Sequence, residues 1–320
     1  MTAPRIISET GLLSALPMAA AIDALRAALR AGTDPESDPP RTIVPVEHGQ
    51  LLLMPAHRNR YAGVKIATVA PDNPGAGLPR VQGQYLLFDA PTLTPVALLD
   101  GIALTTVRTA AVSALAADLL AAPDARRLVV FGTGPQARGH LDALRVVRPL
   151  THVTVVGRTP ANVERFVEAA RRDTGLTVEP GDPTAVATAD LVACCTTART
   201  PLFDGTLLAP HTTVMAVGSH ERDSREVDST TVRRCTVVVE SRAAAAREAG
   251  DLIPELDSGR LDPTSLVPLA DLATGVATAD PARPTFFKSV GMAWEDLAVA
   301  GAAYEAAEED GRSGPSAGIG

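Results

Sequence analysis

The stretch from Leu128 to His140 limits what this chain can fold into more than any other part of the sequence. Its first four residues, Leu128–Phe131, form an apolar run rich in valine, which is typical of a buried parallel strand. The run leads into Gly132-Thr-Gly-Pro-Gln-Ala137, and residues 136–147 then repeat apolar side chains at helical spacing. A Gly-x-Gly-x-x-Ala turn between a strand and a helix is the fingerprint of a dinucleotide-binding protein.

The small residues of this turn have separate predicted roles. Gly132 makes the tight bend, Gly134 lets the backbone approach a pyrophosphate, and Ala137 keeps the helix close to the strand. The helix amino terminus offers unpaired N–H groups to the anion. We therefore expect the cofactor to contact the whole turn, including Thr133, Pro135 and Gln136.

The second strand, Val153–Val156, ends in Gly157-Arg158-Thr159. An NAD-binding protein normally carries an acidic residue here, which holds the ribose 2′-hydroxyl. An arginine can instead pair with a 2′-phosphate, and the Thr159 hydroxyl can add a hydrogen bond. The alternative is that Arg158 is only solvated and Thr159 caps the helix that begins near Ala161. Because no carboxylate stands here to repel the phosphate, the sequence favours NADP(H) over NAD(H).

Composition narrows the class of protein. With 320 residues the chain suits two domains, and 46% hydrophobic residues indicate a globular fold. A net charge of −8 without a basic block argues against nucleic acid as a partner. We expect no leader segment and no apolar run long enough to span a membrane. The three cysteines lack metal-ligand spacing, so we predict no metal site and a reducing, cytoplasmic location. The Gly/Ser-rich tail after Gly311 is expected to be disordered.

The order of elements predicts an α/β protein with two parts. Short strands between Arg41 and Leu99 indicate a mostly antiparallel sheet, and strands alternating with helices from Leu128 indicate a Rossmann-type, doubly wound parallel sheet. A last amphipathic helix, from about Ala293 to Glu308, is expected to pack back on the first part. We therefore predict an α+β substrate-binding and dimerisation domain at 1–115 and 293–320, and an NAD(P)-binding domain at 116–292.

Three cations of the first part stand in unusual settings. Arg41 opens a strand after a Pro-Pro pair, Lys65 lies inside the apolar strand Gly63–Ala67, and Arg108 interrupts a run of Ala, Val and Thr. Charges in apolar surroundings are buried only when they are paired. The partner could be a substrate carboxylate shared by all three, or a separate internal carboxylate for each.

Seven short motifs in this order make the chain resemble the ornithine cyclodeaminase/mu-crystallin family, from about Ser8 to Ala307. They are Arg41, Gly63-Val-Lys65, Gly77-Leu-Pro-Arg-Val81, Leu98-Leu-Asp-Gly101, Thr105-Thr-Val-Arg-Thr-Ala-Ala111, Gly132-Thr-Gly-Pro-Gln-Ala137 and Phe287-Lys-Ser-Val-Gly291. The resemblance implies a homodimer, a Rossmann domain inserted in a substrate domain, and a carboxylate substrate (an imino or amino acid) held by Arg41, Lys65 and Arg108. Lys65 would face the reacting C–N centre and Val290 would lie near the substrate. The implied cofactor contacts are Arg80, Thr109, Gly132 to Ala137, Arg158, Thr159, Thr196, Val217, Gly218, Ser219, His220 and Ser289.

The chain departs from the cyclodeaminase pattern after Gly218-Ser219. Where true cyclodeaminases carry an aspartate thought to act on the substrate amines, this chain has His220. A histidine could act as acid or base near neutral pH, or could simply line the pocket. Arg80 likewise stands at the position of a threonine in the cyclodeaminases.

These observations favour an NAD(P)H-dependent reductase of a cyclic imine, of the ketimine or pyrroline-2-carboxylate type, or an amino-acid dehydrogenase. Arg41 and Arg108 would clamp the carboxylate, and Lys65 would give or take the proton on nitrogen. The alternatives are a cyclodeaminase that uses bound NAD catalytically and releases ammonia, and a non-catalytic NADPH-dependent binder of a small ligand. If each cation proved to be neutralised by its own internal carboxylate, only nucleotide binding would remain supported by the residues.

Overall fold

The structure is a computed structural model that describes residues 3–313. The strands are β1 Arg5–Ile7, β2 Thr42–Val46, β3 Gly49–Arg58, β4 Tyr61–Val69, β5 Val81–Asp89, β6 Thr94–Asp100, β7 Arg127–Phe131, β8 His152–Val156, β9 Thr177–Pro180, β10 Leu191–Cys194, β11 Thr213–Ala216, β12 Thr236–Val239, β13 Val267–Pro268 and β14 Thr285–Lys288. The α-helices are α1 Glu9–Ala15, α2 Met18–Arg30, α3 Gly101–Leu120, α4 Pro135–Val147, α5 Pro160–Thr174, α6 Ser229–Arg234, α7 Arg242–Glu248, α8 Ile253–Asp257, α9 Leu269–Ala273 and α10 Ala293–Ser313. The disorder expected of the tail falls, from residue 314 on, outside the described residues.

The chain divides into two compact units. The first contains residues 1–28, 37–108 and 292–320, and the second contains 29–36 and 109–291. The sequence predicts a boundary at 115/116, whereas the compact units divide at 108/109, inside α3. The short segment 29–36 belongs to the second unit although the chain around it belongs to the first.

The first unit is a six-stranded sheet in the order β1-β6-β5-β4-β3-β2. Every pair is antiparallel except β1 with β6, so the prediction of a mostly antiparallel sheet is confirmed. In β4, burial alternates along the strand, so Tyr61, Gly63, Lys65 and Ala67 are buried while their neighbours are half-buried or exposed. Helix α10 packs against β3, β4 and α1, as the sequence predicted.

The second unit is an eight-stranded, entirely parallel sheet in the order β13-β12-β14-β11-β10-β7-β8-β9. The strand order reverses at β7, which pairs with β8 on one side and β10 on the other. Ligands of doubly wound sheets bind at the carboxyl ends of the strands around such a reversal. The Rossmann-type sheet predicted from the fingerprint is therefore confirmed.

The sequence reading missed several elements. β1, α1, β13 and the helices α6 to α9 were not predicted. The sequence near Pro183 predicts the start of a helix, whereas the structure has a 3₁₀ helix there, Pro183–Thr188. Each of these helices has seven residues or fewer. Two turns of helix are too few for an apolar repeat to show in the sequence.

Helix α3 passes the length and composition test for a membrane span, as does the bent pair α1 and α2, so the expectation of no such run in the sequence is wrong. The helix is apolar on all sides, and 72% of its most apolar window is buried within the protein. That pattern is typical of the core helix of a large globular fold.

Candidate active site

The fingerprint turn has the conformation that close approach to a ligand requires. Gly132 adopts φ +111°, and a Cβ atom there would lie 2.5 Å from the carbonyl oxygen of Cys195, so only glycine fits. Gly134 is the extended residue before α4, and no atom lies within 4 Å of the position a Cβ would take. Pro135 begins the helix, where its missing N–H costs nothing. Ala137 is fully buried.

A cavity of about 660 Å³ opens at the carboxyl ends of β7, β8, β9 and β10. It is lined by Phe131, Gly132, Thr133, Gly134, Val156, Gly157, Arg158, Thr159, Asn162, Gly181, Asp182, Pro183, Cys195, Thr196, Thr197, Ala198 and Leu202. Six of the predicted cofactor residues are among them. The volume and the free helix N–H groups fit a dinucleotide moiety.

The residues expected to recognise the 2′ position lie together in this cavity. Arg158 and Thr159 are exposed, and Thr159 precedes α5 without making a side-chain cap hydrogen bond. The alternative role considered for Thr159, as a helix cap, is therefore not realised. Asp182, which the sequence reading missed, lines the same cavity and caps the following turn by accepting from Thr184 N at 2.8 Å. The hydrogen bonds from Thr184 hold the pKa of Asp182 below its usual value, so it is a carboxylate.

The other predicted cofactor residues do not line this cavity. Pro135, Gln136 and Ala137 begin α4, Thr109 is buried in α3, Val217 to His220 follow β11, and Ser289 follows β14, all within the second unit. Ser289 donates its hydroxyl to the buried Glu240 at 2.5 Å, and Val290 N donates to the same carboxylate at 2.9 Å. Arg80 belongs instead to the first unit, where it is exposed at the entrance to β5.

The three predicted cations lie in the first unit, and two of them are deeply buried. Lys65 is 3% exposed and Arg108 is 6% exposed, whereas Arg41 is half-buried just before β2. Repulsion from Arg108 and, more weakly, from Arg41 helps to lower the pKa of Lys65. His220 is half-buried in the second unit.

Two carboxylates at the start of α10 face these cations. Lys65 Nζ lies 3.0 Å and 2.8 Å from the two carboxylate oxygens of Asp296, and Arg108 Nη1 donates to Glu295 Oε2 at 2.7 Å. Arg108 Nε also lies 3.3 Å from Asp296 Oδ1. Both acids are fully buried. Asp38 accepts from the backbone N–H of Trp294 at 2.8 Å and so helps to fix the start of the helix.

The pairing of Lys65 and Arg108 with internal carboxylates counts against a role for them in binding a substrate. Because Lys65 and Arg108 have partners of their own, their burial by itself no longer indicates a substrate carboxylate. Glu295 and Asp296 could have been noticed in the sequence as two adjacent acids in an Ala-rich helix directly after the Phe287–Gly291 motif.

The surroundings of Lys65 make its ammonium group a stronger acid than that of an exposed lysine. Burial lowers the pKa of Lys65 to about 8, with repulsion from Arg108 and Arg41 in the same direction and attraction to Asp296 opposing it. Tyr85 lies opposite Lys65 in the sheet register, fully buried, and burial beside Asp296 raises the pKa of its hydroxyl well above the usual value. A Cβ at Gly63 would lie 2.3 Å from that hydroxyl, so the glycine makes room for the tyrosine.

Within residues 3–313, no group of three or more His, Cys, Asp or Glu side chains could hold a metal ion. Cys194, Cys195 and Cys235 are unpaired thiols. The pKa of each thiol is raised by burial, so none of the three is an activated nucleophile.

The parallel sheet, the fingerprint turn and the cavity at the strand ends define a nicotinamide dinucleotide-binding protein. The chain belongs to the ornithine cyclodeaminase/mu-crystallin family, whose sequence profile matches residues 6–311. It is 36% identical over 275 residues to the Delta(1)-pyrroline-2-carboxylate/Delta(1)-piperideine-2-carboxylate reductase of Azospirillum brasilense, covering 84% of each chain.

Two solved structures are also similar. The Delta(1)-pyrroline-2-carboxylate reductase of Thermococcus litoralis, in complex with NADH and L-proline, has 33% identity and a TM-score of 0.90, covering 96% of this chain and 98% of the other. An archaeal alanine dehydrogenase dimer with bound NAD has 26% identity and a TM-score of 0.89, covering 96% and 97%. The resemblance drawn from the seven motifs is therefore confirmed.

Proposed function

We propose that the protein is an NAD(P)H-dependent reductase of a cyclic imine that carries a carboxylate next to the C=N carbon. The observation that carries the proposal is the buried Lys65 with its lowered pKa. A relative of the chain is named as a reductase of such imines. The NADH and L-proline complex of the Thermococcus litoralis enzyme supports the same chemistry, since proline is the reduced product of pyrroline-2-carboxylate.

The residues of the first unit supply the substrate side of this reaction. Arg41 and Arg108 bind the carboxylate, which fixes the orientation of the imine. Arg108 already donates to Glu295, but a guanidinium has five N–H donors, so this bond does not prevent a second carboxylate from binding it. Reduced nicotinamide, when bound, supplies a hydride to the imine carbon. The C=N electron pair then moves to nitrogen, which takes a proton from the Lys65 ammonium. With a pKa of about 8, Lys65 is protonated at neutral pH and is a strong enough acid to give the proton up. In the reverse oxidation the neutral amine accepts it.

The cofactor preference that we propose is NADP(H) over NAD(H). Arg158 and Thr159 are exposed in the cavity, and Thr159 makes no cap hydrogen bond, so both can reach a 2′-phosphate. Asp182 in the same cavity opposes this preference by repulsion, although its carboxylate is engaged by Thr184.

Replacing Arg158 with alanine tests the preference. We expect Arg158→Ala to weaken NADPH binding about tenfold and to leave NADH binding within about twofold, because a charge-assisted pair contributes about 1.5 kcal/mol or more. Titration of protein with each cofactor gives both dissociation constants, and Arg172→Ala is the matched control, since Arg172 is exposed on α5 and does not line the cavity. Equal losses for NADH and NADPH would contradict the proposal.

The protein is further proposed to be a homodimer that buries the outer face of the six-stranded sheet. One apolar row crosses all six strands on this face, through Ile6, Leu98, Leu86, Val64, Ile66, Leu53, Leu51 and Val44. Ile6 is 79% exposed, and Ile66 and Val44 are more than a third exposed. Contiguous apolar surface of this kind marks an interface, and the similar archaeal alanine dehydrogenase is a dimer.

The unpaired thiols are consistent with a reducing, cytoplasmic location.

A substrate panel tests the reaction. The purified protein is given NADPH or NADH with pyrroline-2-carboxylate, with piperideine-2-carboxylate, or with 2-oxo acids plus ammonia or methylamine, and loss of the reduced cofactor is followed. We expect turnover with at least one cyclic imine, and none in Lys65→Ala. Ammonia release from ornithine without net change of NAD would identify a cyclodeaminase instead. Binding of NADPH without turnover of any compound would leave only a ligand binder.

A further inference from the structure

A buried carboxylate ties together two loops at the carboxyl ends of neighbouring strands in the second unit. Glu226 Oε1 accepts from both the backbone N–H and the hydroxyl of Thr196, each at 2.7 Å, directly after β10. Its other oxygen accepts from Gly218 N at 2.8 Å, after β11. Glu226 is fully buried, and all three partners are donors. Both carboxyl oxygens therefore act as acceptors of backbone N–H groups.

A second buried pair fixes Glu226 itself and extends the network to a third strand. Asp251 Oδ1 accepts from the backbone N–H of Glu226 at 2.6 Å and of Val227 at 2.9 Å. Lys288, the last residue of β14, lies 2.8 Å from Asp251 Oδ2 and donates to the carbonyl of Ser219 at 2.8 Å. Burial, with repulsion from Asp251, raises the pKa of Glu226 above its usual value, and attraction to Lys288 and the hydrogen bonds from Thr196 and Gly218 oppose that rise.

The loop after β10 and the loop after β11 are in close contact at Gly218. A Cβ at Gly218 would lie 1.9 Å from the carbonyl oxygen of Thr196 and 2.6 Å from Glu226 Oε1. The absence of a side chain at this position lets the two loops meet over the carboxylate. Thr196 also lines the cavity proposed for the cofactor.

We propose that Glu226, held by Asp251 and Lys288, is a positioning residue that preorganises the loops 195–198 and 217–220 for the cofactor. This inference rests on the proposed cofactor role of Thr196, Gly218 and Ser219. Glu226 makes no contact with the cofactor in this scheme; it acts through Thr196 and Gly218. The loops are therefore set before the cofactor arrives, and binding does not have to order them.

Glu226→Gln tests the proposal because glutamine keeps the size but cannot keep all the bonds. Wherever its NH₂ group points, the backbone N–H of Thr196 or of Gly218 loses its acceptor. We expect the dissociation constant and the KM of the preferred cofactor to rise about tenfold or more, with a smaller change in kcat. Glu226→Asp keeps the charge and should give a smaller rise.

The matched control is Asp190→Asn, because Asp190 lies at the opposite end of β10 from Thr196. Asp190 Oδ2 also accepts two backbone N–H groups, from Arg126 at 2.7 Å and Arg127 at 2.8 Å, but it precedes β10 rather than following it. Asp190→Asn is expected to lower the melting temperature and to change the cofactor KM by less than about twofold. A cofactor KM unchanged in Glu226→Gln, or raised equally in Asp190→Asn, would overturn the proposal.

Hydrogen exchange of the wild-type protein tests, without any variant, whether the two loops are ordered before the cofactor binds. The amides of Thr196 and Gly218 should exchange at least about a hundredfold more slowly than in an unfolded chain, before any cofactor is added. If they exchange freely until the cofactor binds, the loops are not preorganised and the inference fails. Failure of the proposed function is distinguishable, because then the wild-type protein binds neither NADPH nor NADH while these amides stay protected.

Discussion

Lys65 and Asp296 show how one buried pair sets a usable proton affinity. Asp296 opposes the lowering of the pKa of Lys65 by burial and by the two arginines, so without it that pKa would fall below about 8. The proposed imine reduction requires protonated Lys65, so in Asp296→Asn we expect its alkaline limb to move to lower pH by about one unit.

The measurement is kcat/KM for the imine as a function of pH. In the reverse direction, which needs neutral Lys65, the rising limb should move the same way. Glu305→Gln is the control, since Glu305 lies on the same helix but pairs with Tyr61 and Arg60. An identical profile in wild type and Asp296→Asn would show that Lys65 is not the group that titrates.

His140 is a buried residue whose effect falls on stability rather than on the reaction. Its Nδ1 lies 2.7 Å from the carbonyl of Gln136, so it carries the proton, and Nε2 lies 2.9 Å from Ser113 Oγ on α3 and accepts from it. Burial lowers the pKa of His140 to about 4. Below pH 6.5 His140 is protonated in the unfolded chain but remains neutral in the folded chain. The free energy of unfolding therefore falls as the pH falls from about 6.5 to 4.

We expect wild-type protein to lose about 2 kcal/mol more than His140→Gln between pH 7 and pH 5, because glutamine does not titrate. Urea unfolding at the two pH values measures the difference. Equal losses in the two proteins would mean that His140 is protonated in the folded state.

At the scale of elements, the strands β2 to β6 explain both faces of the first unit. The pleat sends Lys65 to the buried face beside α10 and Ile66 to the opposite face. Ile66→Glu places a charge in the middle of the apolar row, so we expect the proposed dimer to dissociate or to weaken at least about a hundredfold.

Sedimentation or light scattering over a range of protein concentrations measures this. Leu13→Glu, on the exposed side of α1, is the control because Leu13 is 53% exposed but lies off the sheet. A dimer of unchanged affinity in Ile66→Glu would remove the outer face as the interface.

At the scale of the whole molecule, the residues proposed to bind the substrate and those that line the proposed cofactor cavity belong to different compact units. Lys65 and Arg108 lie in the first unit, and every residue that lines the 660 Å³ cavity lies in the second. Lys65→Ala should therefore abolish turnover and leave NADPH affinity within a few-fold, which single-turnover kinetics and binding titration measure separately. Retained turnover would refute the role of Lys65, and a large loss of cofactor affinity would refute the separation.

The sequence by itself determined the parallel sheet, the fingerprint turn, the antiparallel sheet and the family, because each is written in local order. Apolar runs, glycine spacing and short motifs depend only on neighbours in the chain. The tertiary structure alone decided that β14 inserts between β11 and β12, that Glu295 and Asp296 neutralise Arg108 and Lys65 from nearly two hundred residues or more away, and that Glu226 joins two loops. These are pairings between distant segments, and a buried charge does not specify in the sequence which distant charge will meet it.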